Sequence, residues 1–168
     1  MTLTAHGREQ ARALGHSLAG RAFARVLSSP LTRALDTARL AGFGSQVEVD
    51  HDLAEWDYGE VEGRTTAELR DAGEPAWTIW THGTRQGESA DQVGLRVDRV
   101  VARVLRISGD VALFGHGHLL RVLAARWLGL APSEGRLFAL STATISILGW
   151  EREARVIEVW NEGGEAGP

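Results

Sequence analysis

Short apolar runs alternate with longer helical patterns along this 168-residue sequence, and this alternation most constrains its fold. The apolar runs that are typical of buried strands span 23–27, 46–49 and 111–114. The helical patterns span about 4–18, 30–41, 90–107 and 119–128. Strands that alternate with helices in this way usually form a parallel sheet with helices on both faces. We therefore predict an α/β fold, a three-layer sandwich with a mostly parallel central sheet.

Local signals refine this prediction. Thr4 and Ser89 are placed to cap two of the helices, and residues 65–70 indicate a further helix start. Alternating residues over 142–150 and 156–160 predict a pair of strands near the end of the chain.

The composition suits one globular domain, with 43% hydrophobic and 24% charged residues. The net charge of −4 gives no support for a nucleic-acid partner, and no apolar span approaches membrane length. All 18 Lys and Arg positions are arginine, which excludes Schiff-base chemistry and a P-loop lysine. Without cysteine the chain has neither disulfides nor a thiol nucleophile. We predict a cytoplasmic protein with one domain over 1–161 and a disordered tail over 162–168.

Three polar residues follow predicted strands. They are Ser28, Glu55 and His116. Ligands of open α/β sheets bind at the carboxyl ends of the strands, so these side chains are candidates for one site.

His116 lies between two glycines, after a buried strand and before a helix. Its ring can face a ligand there, and the amides at the start of the helix can bind an anion. The alternative is a histidine that only caps the helix or satisfies a loop. His118 follows after one residue, but without a nearby carboxylate or cysteine set the His-x-His spacing is a weak metal signal. We therefore predict no metal site.

Four motifs follow one another in chain order. They are Leu3-Thr4-x-x-Gly7-x-x-Gln10-Ala11, Ser28-Ser29-Pro30-Leu31-Thr32-Arg33-Ala34-x-x-Thr37-Ala38, Leu53-Ala54-Glu55-Trp56-Asp57-Tyr58-Gly59-Glu60-Val61-Glu62-Gly63 and Phe114-Gly115-His116-Gly117-His118. Together they cover nearly the whole chain and resemble the histidine phosphatase (phosphoglycerate mutase-like) superfamily. The third and fourth motifs, with Trp80-Thr81-His82-Gly83, look like a narrower branch that includes mycobacterial glucosyl-3-phosphoglycerate phosphatases, to which fungal sugar-bisphosphate phosphatases are related.

The resemblance implies roles for three residues. It implies that Arg33 is a phosphate clamp, because a guanidinium fork binds two phosphate oxygens, although a single arginine is by default a solvated surface charge. It implies that His116 holds and neutralises the transferring phosphoryl group. It also implies that the Glu55 carboxyl group protonates the leaving oxygen.

Further residues are expected around the substrate: Tyr58, Gly117 and His118. Tyr58 is either a hydrogen-bonding residue of the pocket wall or a core residue. Asp57 is expected to be a surface or structural acid. His82 and the segment Gly87-Glu88-Ser89 are candidates for shaping the entrance, although His82 is equally well explained as a loop histidine.

The resemblance thus implies a phosphomonoester hydrolase that forms a phosphohistidine and needs neither a cofactor nor a metal. The expected substrate is a small phosphorylated metabolite, either a sugar phosphate or a phosphoglycerate derivative. No nucleic-acid or membrane partner is expected, and a homodimer is one possible assembly.

One motif of the family is not found. In the family a strand ending in Arg-His-Gly precedes the first motif and its histidine takes the phosphoryl group, whereas here Met1 stands directly before Thr2. His6 occupies a variable position of the first motif with no apolar strand before it, so we leave it out of the site. We therefore expect the chain as given to lack the first strand and phosphatase turnover, and favour a misplaced start as the explanation. The alternatives are a catalytically dead phosphate-binding or interaction module, and a phosphomutase of the same fold.

Overall fold

The computed structural model describes residues 2–73 and 75–163. Its α-helices are α1 (Ala5–Ser17), α2 (Thr32–Ala38), α3 (Thr66–Asp71), α4 (Ile79–His82), α5 (Ala90–Val104) and α6 (Gly117–Trp127). Its strands are β1 (Arg25–Ser28), β2 (Val47–Val49), β3 (Val111–Phe114), β4 (Ile145–Glu151) and β5 (Ala154–Glu162). Short 3-10 turns span His51–Leu53, Gly59–Val61 and Pro132–Leu137.

The first three strands form a parallel sheet with β1 in the centre, between β2 and β3. Val26 of β1 lies opposite Val47 on one side and Ala112 on the other. All three strands therefore end at the same edge of the sheet, where the predicted polar turns begin. Within the described ranges, β4 and β5 form a separate antiparallel pair, and β3 has β1 as its only ladder partner.

Helices cover both faces of this sheet, which confirms the predicted sandwich. On one face, α5 and α6 pack against Leu27 and Leu113. On the other face, α1 and α2 pack against Val26 and Phe114. Because side chains alternate along a strand, β1 supplies neighbouring residues to opposite cores.

The predicted valine stripe of α5 forms the centre of the larger core. Val93, Val97 and Val100 have no solvent-exposed surface, and Val101 is 8% exposed. The helix begins with a capping box, in which the Ser89 hydroxyl accepts from the Gln92 amide and the Gln92 side chain accepts from the Ser89 amide. Amphipathic spacing and a strong cap thus define the same element, as predicted.

Two other helices begin where the sequence predicts, and the predicted Thr4 cap is present. The Thr4 hydroxyl accepts from the Gly7 amide at the start of α1, and Thr65 and Glu68 form a capping box at α3. The second predicted helix differs, since α2 ends at Ala38 and continues as a π-turn over Arg39–Phe43. Gly42 has φ of 97° in that turn, a conformation that helical residues do not adopt.

The end of the chain also differs in detail. β4 begins at Ile145 rather than 142, because Ala143 turns the chain with φ of 54°. β5 extends through Glu162, so the predicted tail starts one residue too early. Residues 164–168 of that tail lie outside the described residues. In the part of the chain that the structure describes, no helix combines the length and apolar character needed to cross a membrane.

Candidate functional site

The candidate site lies where the parallel strands end. The Ser29 amide donates to Phe114 O at 2.9 Å, and the Asp50 amide donates to Ser28 O at 2.9 Å. These bonds continue the sheet pairing past the strand ends and hold three polar turns side by side. The turn after β1 carries Ser29, the turn after β2 leads into the loop around Glu55, and the turn after β3 carries His116.

Arg33 and His116 are in direct contact although 83 positions separate them. Arg33 Nε donates to His116 Nδ1 at 3.1 Å, and His116 Nε2 lies 2.7 Å from Ser29 Oγ. A guanidinium group can only donate, so Nδ1 must accept and the imidazole proton must lie on Nε2. His116 then donates to the Ser29 hydroxyl, and the orientation of the ring is fixed from both sides.

His116 is 7% exposed. Burial and, secondarily, the charge of Arg33 lower its pKa from 6.5 to about 4, so the ring is neutral near pH 7. His116 occupies the N-cap position of α6, yet its side chain makes no capping hydrogen bond. The alternative interpretation of a simple helix cap is therefore wrong for this ring, which faces Arg33 and Ser29 instead.

The Glu55 carboxylate points at the first turn of α6. Its Oε1 accepts from the Leu119 amide at 3.1 Å and from the Trp56 amide at 2.9 Å. The same helix start thus carries His116, presents Gly117 and His118, and binds Glu55. A Cβ built at Gly117 would meet no atom within 4 Å, so the space beside this position is open.

Tyr58 and His118 form a second pair beside the first. The Tyr58 hydroxyl lies 2.7 Å from His118 Nδ1, and the Trp56 and Trp80 rings also contact the imidazole. Burial and, secondarily, Arg121 lower the pKa of His118 from 6.5 to about 4. Burial, followed by the charges of Glu55 and Glu62, raises the pKa of Tyr58, so its hydroxyl stays protonated.

Tyr58 and His118 also line a cavity of about 260 Å³. Val61, Trp77 and Ile79 form its apolar part, and its lining also includes three exposed residues, Glu62, Arg64 and Thr66. Tyr58 makes both kinds of contact: its ring packs against the larger core, and its hydroxyl lies beside His118 at the cavity wall.

A larger groove of about 530 Å³ lies elsewhere, at the β2 edge of the sheet. Its charged residues pair with each other: Arg25 with Glu48, and Arg103 with Asp50 and Asp52. Because these charges neutralise one another within the groove, we place the site at the strand ends and not here.

The remaining sequence candidates lie outside the cluster. Asp57 is exposed, and its carboxylate accepts from the Gly59 amide in a local turn. The exposed His82 contacts Thr78 and Thr81 at the end of α4. His6 lies on the exposed surface of α1. The Glu88 side chain binds Arg96 and the Asp57 amide.

Sequence reasoning missed three contributors. Ser29 was noted only as part of a motif, but it is the hydrogen-bond partner of His116. Arg121 lies over the Trp80 ring at 4.6 Å from the ring centre, next to the Tyr58 and His118 pair. Arg96 donates to the backbone carbonyls of Asp52, Ala54 and Glu55 from a helix some forty residues later in the sequence. Its position in α5 gives no local signal of this contact.

Among residues 2–73 and 75–163, no group of three or more His, Asp or Glu side chains is arranged to hold a metal ion.

The arrangement defines an α/β protein with an arginine–histidine pair and a carboxylate at the carboxyl ends of a parallel sheet. The chain belongs to the histidine phosphatase superfamily (branch 1), whose family model matches residues 1–163. The predicted resemblance is confirmed by this match.

Three of the similar proteins are phosphatases, and a fourth, from Enterobacter sp., is a probable phosphoglycerate mutase with 28% identity over 167 residues, 94% of this chain and 78% of that protein. An acid phosphatase of Mycobacterium tuberculosis is 46% identical over 145 residues, which cover 85% of this chain and 70% of that protein. A sedoheptulose 1,7-bisphosphatase of Saccharomyces cerevisiae is 40% identical over 101 residues, 51% of this chain and 37% of that protein. A glucosyl-3-phosphoglycerate phosphatase of Mycolicibacterium vanbaalenii is 35% identical over 139 residues, 74% of this chain and 62% of that protein.

The fold agrees with solved structures. The structure of the product of an open reading frame of Mycobacterium tuberculosis superposes with a TM-score of 0.90 at 44% identity. The superposition covers 95% of this chain and 84% of that one. The predicted phosphoglycerate mutase-like α/β fold is therefore confirmed.

Proposed function

We propose that this chain carries the phosphate-binding and proton-donating parts of a metal-independent phosphomonoesterase that acts on small phosphorylated metabolites. The observation that carries the proposal is the hydrogen bond from Arg33 to a buried, neutral His116 at the strand ends. Phosphatase relatives add support, since three of them are 35% to 46% identical to this chain.

Ser29, Arg33 and His116 form what we call the phosphate side. Arg33 uses Nε for His116, which leaves its terminal N–H groups for the oxygens of a phosphate. Because His116 Nδ1 accepts from Arg33, the ring stays neutral with its proton on Nε2, and the positive charge beside a bound phosphate is that of Arg33. The positive charge then lies where the transferring group accumulates negative charge.

Glu55, Tyr58 and His118 form what we call the acid side. As the bond between phosphorus and the leaving oxygen breaks, the Glu55 carboxyl group gives its proton to that oxygen and the alcohol departs. In this family the phosphoryl group passes to a histidine. Water then attacks the phosphohistidine, Glu55 takes a proton from that water, and inorganic phosphate and free histidine result.

The sequence given contains no Arg-His-Gly tripeptide, which in this family supplies the accepting histidine. We infer that the 168-residue chain binds phosphate without turning over phosphate monoesters. The two activities are separable in this proposal, because the phosphate side and the acid side are assembled from described residues alone.

The cavity beside Tyr58 supports a small leaving group. Its volume of about 260 Å³ suits a sugar or a short polyol acid better than a nucleotide or a peptide. Its wall combines the Trp77 ring with the Tyr58 hydroxyl, so one face of such a group can stack while its hydroxyls are bound.

The test uses two purified proteins, the chain starting at Met1 and a version extended upstream in frame. Each is assayed for hydrolysis of p-nitrophenyl phosphate and for binding of inorganic phosphate by calorimetry. We expect both to bind phosphate and only the extended version to turn over, with His116→Ala abolishing turnover. Hydrolysis by the Met1 protein that His116→Ala abolishes would overturn the inferred inactivity.

Failure of both proteins to hydrolyse any monoester would overturn the enzyme proposal and favour a phosphate-binding module. Transfer of the phosphoryl group to a second hydroxyl, with a persistent phosphoenzyme, would favour a phosphomutase instead.

A further inference from the structure

Arg96 of α5 binds the backbone of the Glu55 loop (residues 52–57), whereas Arg99 and Arg103 of the same helix pair with the Asp52 side chain at the start of the loop. Arg96 Nη1 donates to Asp52 O at 2.7 Å and to Ala54 O at 3.0 Å. Its Nη2 donates to Glu55 O at 3.4 Å. The Arg96 side chain is 14% exposed, so these bonds form largely away from solvent.

Glu88 occupies the other side of the same guanidinium group. Arg96 Nε donates to Glu88 Oε1 at 2.7 Å, and Nη2 donates to Glu88 Oε2 at 2.7 Å. Together with the loop carbonyls, this gives each of the five N–H groups of the guanidinium its own acceptor. Lysine has only three donors on a rotating head and cannot reproduce this set.

Glu88 also binds the loop itself. Its Oε2 accepts from the Asp57 amide at 3.0 Å, and its backbone carbonyl accepts from Trp56 Nε1 at 2.8 Å. Burial alone would raise the pKa of Glu88, but the bonds from Arg96 and the Asp57 amide outweigh burial and hold it below its usual value. The carboxylate is therefore charged near neutral pH and keeps its grip on both partners.

A backbone contact adds to the bonds that Arg96 and Glu88 make to the Glu55 loop, a set that we call the Arg96–Glu88 clamp. The Glu88 amide donates to Asp57 O at 2.9 Å, and a Cβ at Gly87 would collide with the Asp57 carbonyl. The chain before Glu88 is thus pressed directly against the end of the Glu55 loop.

We propose that Arg96 and Glu88 are positioning residues that fix the Glu55 carboxyl group at the first turn of α6. They contact the loop backbone and not the reacting atoms, so they act through Glu55. The clamp explains how a carboxylate on an irregular loop meets the Leu119 amide reproducibly. Its catalytic meaning rests on the proposed function, whereas its positioning effect can be measured without turnover.

The Leu119 amide reports the position of the Glu55 carboxylate, because it donates to Glu55 Oε1 at 3.1 Å. We would measure its hydrogen exchange by NMR in the full chain and in Arg96→Lys, Glu88→Gln and Glu55→Ala. We expect Glu55→Ala and Arg96→Lys each to speed exchange of the Leu119 amide by about tenfold or more. Glu88→Gln is the more conservative substitution and should also speed exchange of the Leu119 amide.

Arg126→Lys is the matched control. Arg126 makes a bidentate pair with Asp98 between α6 and α5, at 2.8 and 2.9 Å, without touching the loop. We expect it to leave exchange of the Leu119 amide within about twofold. If Arg96→Lys is too unstable to study, Glu88→Gln alone decides, and unchanged Leu119 exchange in that variant overturns the proposal.

The double variant Arg96→Lys/Glu55→Ala separates positioning from general destabilisation. If Arg96 acts through Glu55, the double variant exchanges the Leu119 amide no faster than Glu55→Ala alone. Additive effects would overturn the proposal.

In a protein that hydrolyses phosphate monoesters, Arg96→Lys should slow alkyl phosphates more than p-nitrophenyl phosphate. Equal slowing of both substrates would contradict positioning of Glu55. Absence of hydrolysis in every version would count against the proposed function, while the exchange result would still decide on the clamp.

Discussion

The phosphate side and the acid side of the site are stabilised in different ways. On the phosphate side, Ser29, Arg33 and His116 bind each other through side chains, directly beyond the ends of two paired strands. On the acid side, Glu55 sits on an irregular loop whose backbone is bound by Arg96 from behind. Removing a side chain of the phosphate side should therefore weaken phosphate binding directly. Removing Arg96 on the acid side should instead shift the position of the Glu55 carboxyl group.

The largest expected effect concerns Glu55→Gln in a protein that turns over. Loss of the proton donor should lower kcat/KM for alkyl phosphates by about 10²- to 10⁴-fold, because a poor leaving group needs the proton. The effect on p-nitrophenyl phosphate should be much smaller, and phosphate affinity should not fall. Steady-state kinetics over a series of leaving groups checks this, with the exposed Glu60→Gln as control. Equal slowing across the series would remove Glu55 from the acid role.

The next effect concerns Arg33→Lys on the phosphate side. Lysine keeps the charge but loses the fork and the bond to His116, so phosphate should bind about tenfold or more weakly. Calorimetry with inorganic phosphate measures this in the chain as given. Arg39→Lys is the control, because Arg39 is 56% exposed and pairs with Asp36 one turn away. Similar affinity loss in both variants would speak against a specific clamp.

The free energy of unfolding should depend on pH through one histidine on each side of the site, His116 and His118. His116 and His118 have pKa values of about 4 in the folded chain, against 6.5 without the fold. Between these values the unfolded chain binds more protons, so the free energy of unfolding should fall as pH drops from about 6.5 to 4. Each histidine adds a slope of at most about 1.4 kcal/mol per pH unit.

Urea unfolding over this pH range, repeated with His116→Gln and His118→Gln, assigns the slope to the two sides. Each variant should remove part of it. A slope that neither variant changes would show that other groups dominate acid unfolding.

The smallest expected effect concerns Ser29→Ala. This substitution removes the Ser29 hydroxyl that accepts from the buried Nε2–H of His116, which should lower the free energy of unfolding by about 1–2 kcal/mol. Ser17→Ala, which removes an exposed hydroxyl on α1, is the control and should change little. A stability loss no larger than that of the control would mean that the His116 ring reorients to another partner.

On the phosphate side, His116 could be predicted from local signals and Arg33 from its motif, whereas Ser29 was not singled out. The buried run over β3 ends in Gly115, and the run over β1 ends at the two serines, so strand ends and site residues coincide. The sequence could not show that the His116 proton lies on Nε2, since this depends on an arginine 83 positions away.

The acid side was only partly predictable. Motif order identified Glu55 and Tyr58 as candidates, but the clamp depends on how α5 packs across the loop. Arg96 is one of 18 arginines, and its spacing from Glu88 follows no local rule. Three-dimensional packing alone distinguishes it from Arg99, which lies one turn further along α5, is 55% exposed and pairs with the Asp52 side chain.

Tyr58, which contacts His118 in the site, is the only tyrosine of the chain. Any spectroscopic label introduced through tyrosine therefore reports on this single position. Biosynthetic incorporation of fluorotyrosine would give one ¹⁹F resonance, located at the wall of the cavity. The chain thus offers an observation point for ligand arrival that requires no substitution.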